Sequence, residues 1–95
     1  MRLLGLDPGL RNTGWGVIEV EGSRLIHVAH GTVTSDGSQA LSVRLTQLYE
    51  GGTGVIETWS PAAAAIEETF MNRNPGSALK LGQARGVVML APARL

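Results

Sequence analysis

The sequence contains no cysteine, no long apolar run and no net excess of either charge. The first two absences each exclude a class of protein, whereas the charge balance gives no hint of a polyanionic partner. Without cysteine, the chain has no disulfide framework and no thiolate metal site. No apolar run reaches the roughly 18 residues that span a bilayer, and the N-terminus lacks a basic region followed by an apolar core. These absences predict a soluble, intracellular protein with no membrane partner.

The length and the charge distribution constrain the organisation of the chain. Ninety-five residues predict a single domain, residues 1–95, that buries only roughly 60 to 65 per cent of its unfolded surface. All eight acidic residues lie in residues 1–68, whereas residues 69–95 carry four basic residues and no acid. This neighbouring arrangement of an acidic segment and a basic segment suits metal ions and phosphate meeting at one place, although chance in a small protein explains it equally well.

The opening segment, residues 1–21, predicts a hairpin that presents one carboxylate at its tip. An apolar run ends at Asp7-Pro8-Gly9, which is a strong turn signal, and a second apolar run follows. Gly14 and Gly16 leave backbone bare beside this tip, as the close approach of a phosphate or another chain requires. An alternative is that Asp7 only hydrogen-bonds its own turn backbone.

A third strand and a long helix are predicted to follow the hairpin. Arg24 to Thr34 alternates as a strand, in which His27 and His30 are expected on opposite faces with structural roles. Gln39 to Trp59 carries one apolar helical stripe, interrupted by the glycines of Gly51–Gly54. Either the helix breaks at these glycines, or a neighbouring element packs against the bare backbone there.

The last third of the chain predicts a short strand, a loop and a final helix. Ala62 to Glu68 favours a helix by propensity, but its place after a helix that stops at a proline favours a buried strand ending at Glu67. Residues 69–76 read as a loop with exposed side chains. Ser77 is the expected N-cap of a helix from Ala78 to about Ala91, which Pro92 interrupts. Small residues at 78, 82 and 86 form a ridge suited to close packing.

Asp7 and Glu67 are the strongest candidates for chemistry. Each is expected at the end of a strand, and the sequence offers neither cysteine nor paired histidine ligands. Carboxylate oxygens suit hard cations such as Mg²⁺ or Mn²⁺. Pairs of such ions activate water and stabilise the leaving oxygen of a phosphodiester.

Three segments, in order and at their spacing, resemble the RuvC family of crossover junction endodeoxyribonucleases. They are LGLDPGLRNTGWGVI at the N-terminus, AIEETFM at 65–71 and NPGSALKLGQARG at 74–86. The resemblance implies an α/β, ribonuclease H-like fold: a mixed sheet with an N-terminal three-stranded meander, a long helix, a fourth strand and a last helix. It also implies a Mg²⁺-dependent enzyme, with Mn²⁺ able to substitute, that makes paired symmetric nicks in four-way Holliday junctions during recombination and repair.

The resemblance also assigns roles to particular residues and partners. It places Asp7 and Glu67 at catalytic, metal-binding positions and implies that Phe70 lies against unstacked bases, where stacking contributes about 1 to 3 kcal/mol. Further candidate DNA contacts are Arg73, Asn74, Lys80 and Arg85. The alternatives are that Phe70 is a core residue, that Arg73 is solvated surface, and that Lys80 and Arg85 only solubilise a helix. The implied partners are a second copy of the chain, four-way junction DNA and the branch-migration proteins RuvA and RuvB, in the cytoplasm.

The chain departs from the family pattern in its length. The family's other two acidic ligands lie on a later helix, and no Asp or Glu follows Glu68 here. The expectation is a truncated form, lacking the C-terminal part of the fold and cleaving little or nothing alone. Two alternatives stay open: a non-catalytic junction-binding or dimerisation fragment, and an actin-like nucleotide-binding module.

Overall fold

A computed structural model of the chain describes residues 1–68 and 74–95. The described part contains four strands and two helices, in the order in which the sequence predicts them. Their bounds are β1 Arg2–Asp7, β2 Asn12–Glu21, β3 Arg24–Thr34, α1 Leu41–Trp59, β4 Ala63–Ile66 and α2 Pro75–Arg94.

The strands form one mixed sheet in the order β3-β2-β1-β4. β1, β2 and β3 make an antiparallel meander, and β4 pairs parallel to β1 after the crossover through α1. The predicted mixed sheet with an N-terminal meander is therefore confirmed. The parallel pairing matters for the site, because it brings the carboxyl ends of β1 and β4 to the same edge of the sheet.

The core lies on one face of the sheet. Along β1, Leu4 and Leu6 are buried whereas Gly5 and Asp7 are exposed, as the alternation of a half-covered strand requires. Leu4 and Leu6 cluster with Val17 of β2 and side chains from both helices. Both helices therefore cover the leucine face, and the face that carries Asp7 stays open in the described part of the chain.

The glycines of α1 do not break the helix, which runs without interruption to Trp59. At Gly51 an added Cβ would collide with the Cγ1 methyl of Val33 in β3. The sheet thus packs directly on bare helix backbone at Gly51. The second of the two sequence-based alternatives is therefore correct, and Gly51 is the glycine at which the close contact with β3 occurs.

The alanine segment forms a strand, as its context predicts and its propensity does not. Ala63 to Ile66 is the strand β4, but its three alanines are exposed, so the expectation of a buried strand is wrong. The reason is its place in the sheet: β4 pairs only with β1 and forms an edge of the described sheet. Within β4, Ile66 is the one residue that packs against the core cluster.

The last helix is longer than predicted at both ends. Asn74, not Ser77, is its N-cap, and its side chain accepts hydrogen bonds from the backbone N–H groups of Gly76 and Ser77. Pro92 lies inside the final turn, where it removes a single backbone donor while buried Ala91 anchors that turn.

The small-residue ridge of α2 does not make the contact expected of it. Gly82 and Gly86 are exposed, and a Cβ at either would meet nothing within 4 Å in the described structure. The helix instead buries Ala84, Val88 and Ala91.

The two histidines of β3 lie together, which contradicts the sequence-based expectation. Val17 pairs with Ala29, but the next residue of β2, Ile18, pairs with His27, so β3 contains one extra residue as a β-bulge. The bulge resets the alternation and puts Nε2 of His27 at 2.9 Å from Nδ1 of His30, a hydrogen-bonding distance. A prediction that assumes strict alternation of side chains along a strand cannot reveal such a bulge.

Candidate active site

Asp7 and Glu67 occupy equivalent positions at the ends of adjacent parallel strands. Leu6 pairs with Ile66 in the register of β1 and β4, and each carboxylate residue follows one member of this pair. The backbone N–H of Glu67 donates a 2.9 Å hydrogen bond to the carbonyl oxygen of Leu6, which extends the ladder to Glu67. The structure thus brings together the two acids that the sequence selects.

The two carboxylates line one open cavity of about 440 Å³. Among the described residues, Glu67 lines it and the neighbouring Glu68 does not. Small residues contribute much of the remaining lining: Gly5, Gly14, Gly16 and Ala65. At Gly16, an added Cβ would meet no atom within 4 Å in the described structure, so internal packing does not require a glycine there. The small residues leave space for a ligand to approach the sheet backbone.

The turn after Asp7 is closed by a threonine. The buried Thr13 hydroxyl donates to the carbonyl oxygen of Gly9 at 2.9 Å and accepts from its N–H at 3.3 Å. An added Cβ at Gly9 would collide with the carbonyl oxygen of Asn12, so this turn needs glycine. Within the described residues no hydrogen bond joins the Asp7 carboxylate to its own turn. The alternative that Asp7 serves only to bond its own turn backbone is therefore not supported.

The donors in this cavity fit a hard divalent cation. Two carboxylates supply oxygen ligands, and an open cavity leaves the other coordination positions to water or substrate, as Mg²⁺ prefers. In residues 1–68 and 74–95, no group of three or more His, Cys, Asp or Glu side chains comes together as a metal cluster. The described chain therefore offers two carboxylate ligands at this position.

The other well-connected carboxylates are tied to structural partners. Arg2 donates from Nε to Glu19 at 3.1 Å and from Nη1 to the carbonyl oxygen of Trp59, which joins β1, β2 and the end of α1. This hydrogen bond from Arg2 is the main reason that the pKa of Glu19 lies below its ordinary value. The N–H and hydroxyl of Ser38 likewise lower the pKa of Asp36.

The predicted DNA-contact residues have different outcomes. Phe70 and Arg73 lie outside the described residues. Asn74 has a structural task as the cap of α2. Lys80 lines a second cavity, on the helix-covered side, and Arg85 is half-buried on α2.

Sequence reasoning missed two residues that line the cavity with Lys80. Arg11, in the turn after Asp7, and Arg44, in the first turn of α1, both lie there. Their only signal in the sequence is a basic residue near each predicted turn, and the third dimension is needed to bring them together.

None of the described helices is long and apolar enough to cross a bilayer.

Comparisons with known proteins agree with this architecture. The family model described as "Crossover junction endodeoxyribonuclease RuvC" matches residues 3–95. The RuvC of Rhodospirillum rubrum is 66% identical over 93 residues, which cover 98% of this chain and 55% of that relative. The RuvC of Paramagnetospirillum magneticum is 62% identical over 94 residues, which cover 99% of this chain and 57% of that relative.

A solved structure gives the same answer for the fold. The structure titled "T. thermophilus RuvC in complex with Holliday junction substrate" matches with a TM-score of 0.87 and 28% identity, covering 99% of this chain and 60% of that one. The ribonuclease H-like fold is thereby confirmed. The chain spans about half the length of the curated relatives that it matches. By the match of its sequence from residue 3 to residue 95, the chain belongs to the RuvC family of crossover junction endodeoxyribonucleases.

Proposed function

We propose that this chain carries the N-terminal part of the active site of a Holliday junction resolvase, in which Asp7 and Glu67 are the catalytic carboxylates. The reaction is the hydrolysis of phosphodiester bonds, as paired symmetric nicks in the opposing strands of a four-way DNA junction. The observation that carries this proposal is the shared cavity of Asp7 and Glu67 at the ends of β1 and β4, in a chain of the RuvC family. The similar structure of T. thermophilus RuvC in complex with a Holliday junction substrate supports the choice of DNA.

Asp7 and Glu67 are the residues that would hold a divalent cation, and Mg²⁺ is the ion we propose, with Mn²⁺ as a substitute. When bound, such an ion supplies an activated water and neutralises charge on the leaving oxygen. The chain's own part is to place two oxygen ligands at neighbouring strand ends. The small residues around them let a sugar-phosphate backbone come close to the sheet.

We assign DNA contact to the segment that follows Glu67 and to α2. Phe70 would stack on unpaired bases near the crossover, which contributes about 1 to 3 kcal/mol per base. Arg73, Lys80 and Arg85 would contact phosphates, which gives affinity and salt dependence without sequence information. Asn74 would contribute mainly by capping α2 and so positioning the start of that helix.

The proposed assembly is a homodimer in the cytoplasm that works with RuvA and RuvB. Two symmetric nicks in opposing strands require two active sites related by a two-fold axis, and a closed dimer is the simplest assembly that supplies them.

The described chain supplies only two carboxylate ligands, which sets the activity expected of it alone. We expect residues 1–95 to bind a junction and to nick it weakly or not at all. An actin-like nucleotide-binding module is the less favoured alternative, because the family match covers residues 3–95.

The test is a binding and cleavage assay on a synthetic four-way junction, with a linear duplex of the same sequence as control. Fluorescence anisotropy with EDTA measures binding, and denaturing gels with Mg²⁺ measure nicking. We expect the chain to prefer the junction to the duplex. In a full-length relative, Asp7→Asn should abolish nicking and leave junction binding intact.

Each outcome bears on a different part of the proposal. Equal affinity for junction and duplex would contradict junction recognition by this chain. Unchanged nicking by the Asp7→Asn variant would remove Asp7 from the mechanism. Binding of ATP without binding of junction DNA would favour the nucleotide-binding alternative.

A further inference from the structure

A second cavity of about 440 Å³ lies on the helix-covered side of the molecule, apart from the carboxylate site. The turn between β1 and β2, the loop before α1, and both helices contribute to it. Its lining residues are Leu10, Arg11, Gly37, Arg44, Ser77, Lys80 and Leu81. We call this cavity the cationic pocket.

Three positive side chains meet in the cationic pocket from three separate elements. Arg11 belongs to the turn after β1, Arg44 to α1 and Lys80 to α2, and none of the described lining residues is acidic. Like charges gathered at one place repel each other unless an anion joins them. The N–H of Ser35 donates to the carbonyl oxygen of Arg11 at 3.0 Å, which helps to bring Arg11 near Arg44. Among the described residues, no hydrogen bond is made by the exposed side chains of Arg11 and Lys80.

Arg44 is held in orientation by a buried hydroxyl. Its Nε donates to Oγ of Ser35 at 3.0 Å, and Ser35, only 4% exposed, donates in turn to the carbonyl oxygen of Leu10. This chain of bonds occupies Nε of the guanidinium and leaves its two Nη groups as donors. A guanidinium fixed at one edge is preorganised to bind a tetrahedral oxyanion.

One acid that interacts with Arg44 lies outside the wall of the pocket. Asp36 interacts electrostatically with Arg44, but its Oδ1 accepts from both the N–H and the hydroxyl of Ser38, at 2.9 and 2.7 Å. Asp36 is not among the lining residues. In the described part of the chain, the wall of the pocket therefore combines three cations with no carboxylate.

We infer that the cationic pocket binds one backbone phosphate of a DNA strand, with Arg11, Arg44 and Lys80 as charged donors and the Ser77 hydroxyl as a neutral one. This inference rests on the proposed function for its choice of DNA over free phosphate. Asp7 stands immediately before the turn of residues 8–11 and Arg11 is its last residue, so this turn connects the carboxylate site to the cationic pocket.

The first experiment tests the pocket without DNA. Inorganic phosphate is titrated into the ¹⁵N-labelled chain, and backbone amide shifts are followed by NMR. We expect saturable shifts clustered at residues 10–11, 37, 44 and 77–81, which disappear in the double variant Arg11→Gln/Lys80→Gln. The matched control is Arg24→Gln/Arg94→Gln, which removes the same charge elsewhere. Shifts that are absent from the cluster, or equal in both double variants, overturn the site.

The second experiment distinguishes a DNA phosphate from a free one. Anisotropy with a linear duplex and with the four-way junction is measured over a range of NaCl concentrations. We expect the pocket variant to lower the slope of log K against log salt by about 0.9, as the loss of one phosphate contact does. The control variant should reduce the steepness of this slope by a smaller amount. Phosphate binding with an unchanged slope means a site for free phosphate and overturns the assignment to DNA.

The two proposals fail separately. A chain that binds duplex and junction equally, with the expected loss of slope in the pocket variant, contradicts junction selectivity and retains the pocket. A chain that prefers the junction, with equal slopes in the pocket and control variants, retains the proposed junction nuclease and overturns both the pocket and the assignment of Lys80 to a phosphate. Circular dichroism of both double variants excludes misfolding as the cause.

Discussion

The N–H of Glu67 bonds to the carbonyl oxygen of Leu6 at 2.9 Å, and this single ladder bond joins the strand ends that carry the two candidate metal ligands. Because β4 is parallel to β1, residues that follow a paired position leave the sheet at the same edge. The relationship has a sharp consequence for side chains: it assigns Glu67, and not Glu68, to the cavity of Asp7.

Replacing each glutamate in turn tests this assignment. We expect Glu67→Gln to weaken the binding of a divalent ion, because one of the two proposed carboxylate ligands becomes neutral, whereas Glu68→Gln should bind as the parent does. Broadening of the backbone amide signals near Asp7 by Mn²⁺ measures ion binding independently of cleavage. Equal broadening in the Glu67→Gln variant would show that Glu67 is not a ligand.

Two glycines of α1 should respond in opposite directions to alanine. Gly51→Ala is expected to destabilise the chain by about 1 to 3 kcal/mol, because its Cβ would overlap the stiff side chain of Val33. Gly54→Ala meets nothing within 4 Å in the described structure and should stabilise the helix by up to about 1 kcal/mol. Urea unfolding of both variants measures the difference. A stabilising Gly51→Ala would mean that α1 lies farther from β3.

The start of α2 can be tested with a pair of polar residues. Asn74→Ala removes the acceptor of two backbone N–H bonds and should lower the free energy of unfolding by about 1 kcal/mol. A loss of that size shifts the midpoint of thermal unfolding by about 4 to 8 °C in a domain of this length. Ser77→Ala, at the position that the sequence favours as the cap, should change it far less. Calorimetry that gives the reverse order would restore Ser77 as the cap.

The pair of Arg2 and Glu19 predicts how stability depends on pH. The hydrogen bond from Arg2 lowers the pKa of Glu19 in the folded chain, so folding favours the charged carboxylate. This stabilisation is complete above the ordinary value of 4.5 and is lost as pH falls through the lower, folded pKa. Glu19→Gln should therefore unfold more easily at neutral pH and match the parent in strong acid. Glu21→Gln, exposed on the same strand, is the control; a constant difference at all pH values would contradict the linkage.

Local sequence patterns were enough to predict most of the sheet. β3 begins at Arg24 and ends at Thr34 as predicted, because its alternation and its flanking turn are both strong signals. The strand β4 is predicted against the helix propensity of alanine, because a helix that stops at a proline in an α/β chain usually returns to the sheet. Asp7 and Glu67 were selected from strand-end position and family resemblance, and the parallel register brings them together.

The errors have a common physical origin in tertiary contacts. Nothing in the residues of β3 announces the bulge that places His27 beside His30, because the bulge depends on pairing with β2. The exposure of β4 depends on which strands flank it, and the continuity of α2 through Pro92 depends on the burial of Ala91. The convergence of Arg11 and Arg44 has the same character, since the two lie on separate elements that meet only in the fold.

The turn that Thr13 closes has a consequence for the spacing of the two proposed DNA contacts. Its hydroxyl grips both backbone groups of Gly9, and the neighbouring Asn12 carbonyl leaves no room for a larger residue. An insertion or deletion in this turn would break these contacts. Under the two proposals above, the turn fixes the distance between the phosphate that is cleaved and the phosphate bound in the cationic pocket. Protein geometry, rather than base identity, would then set this spacing.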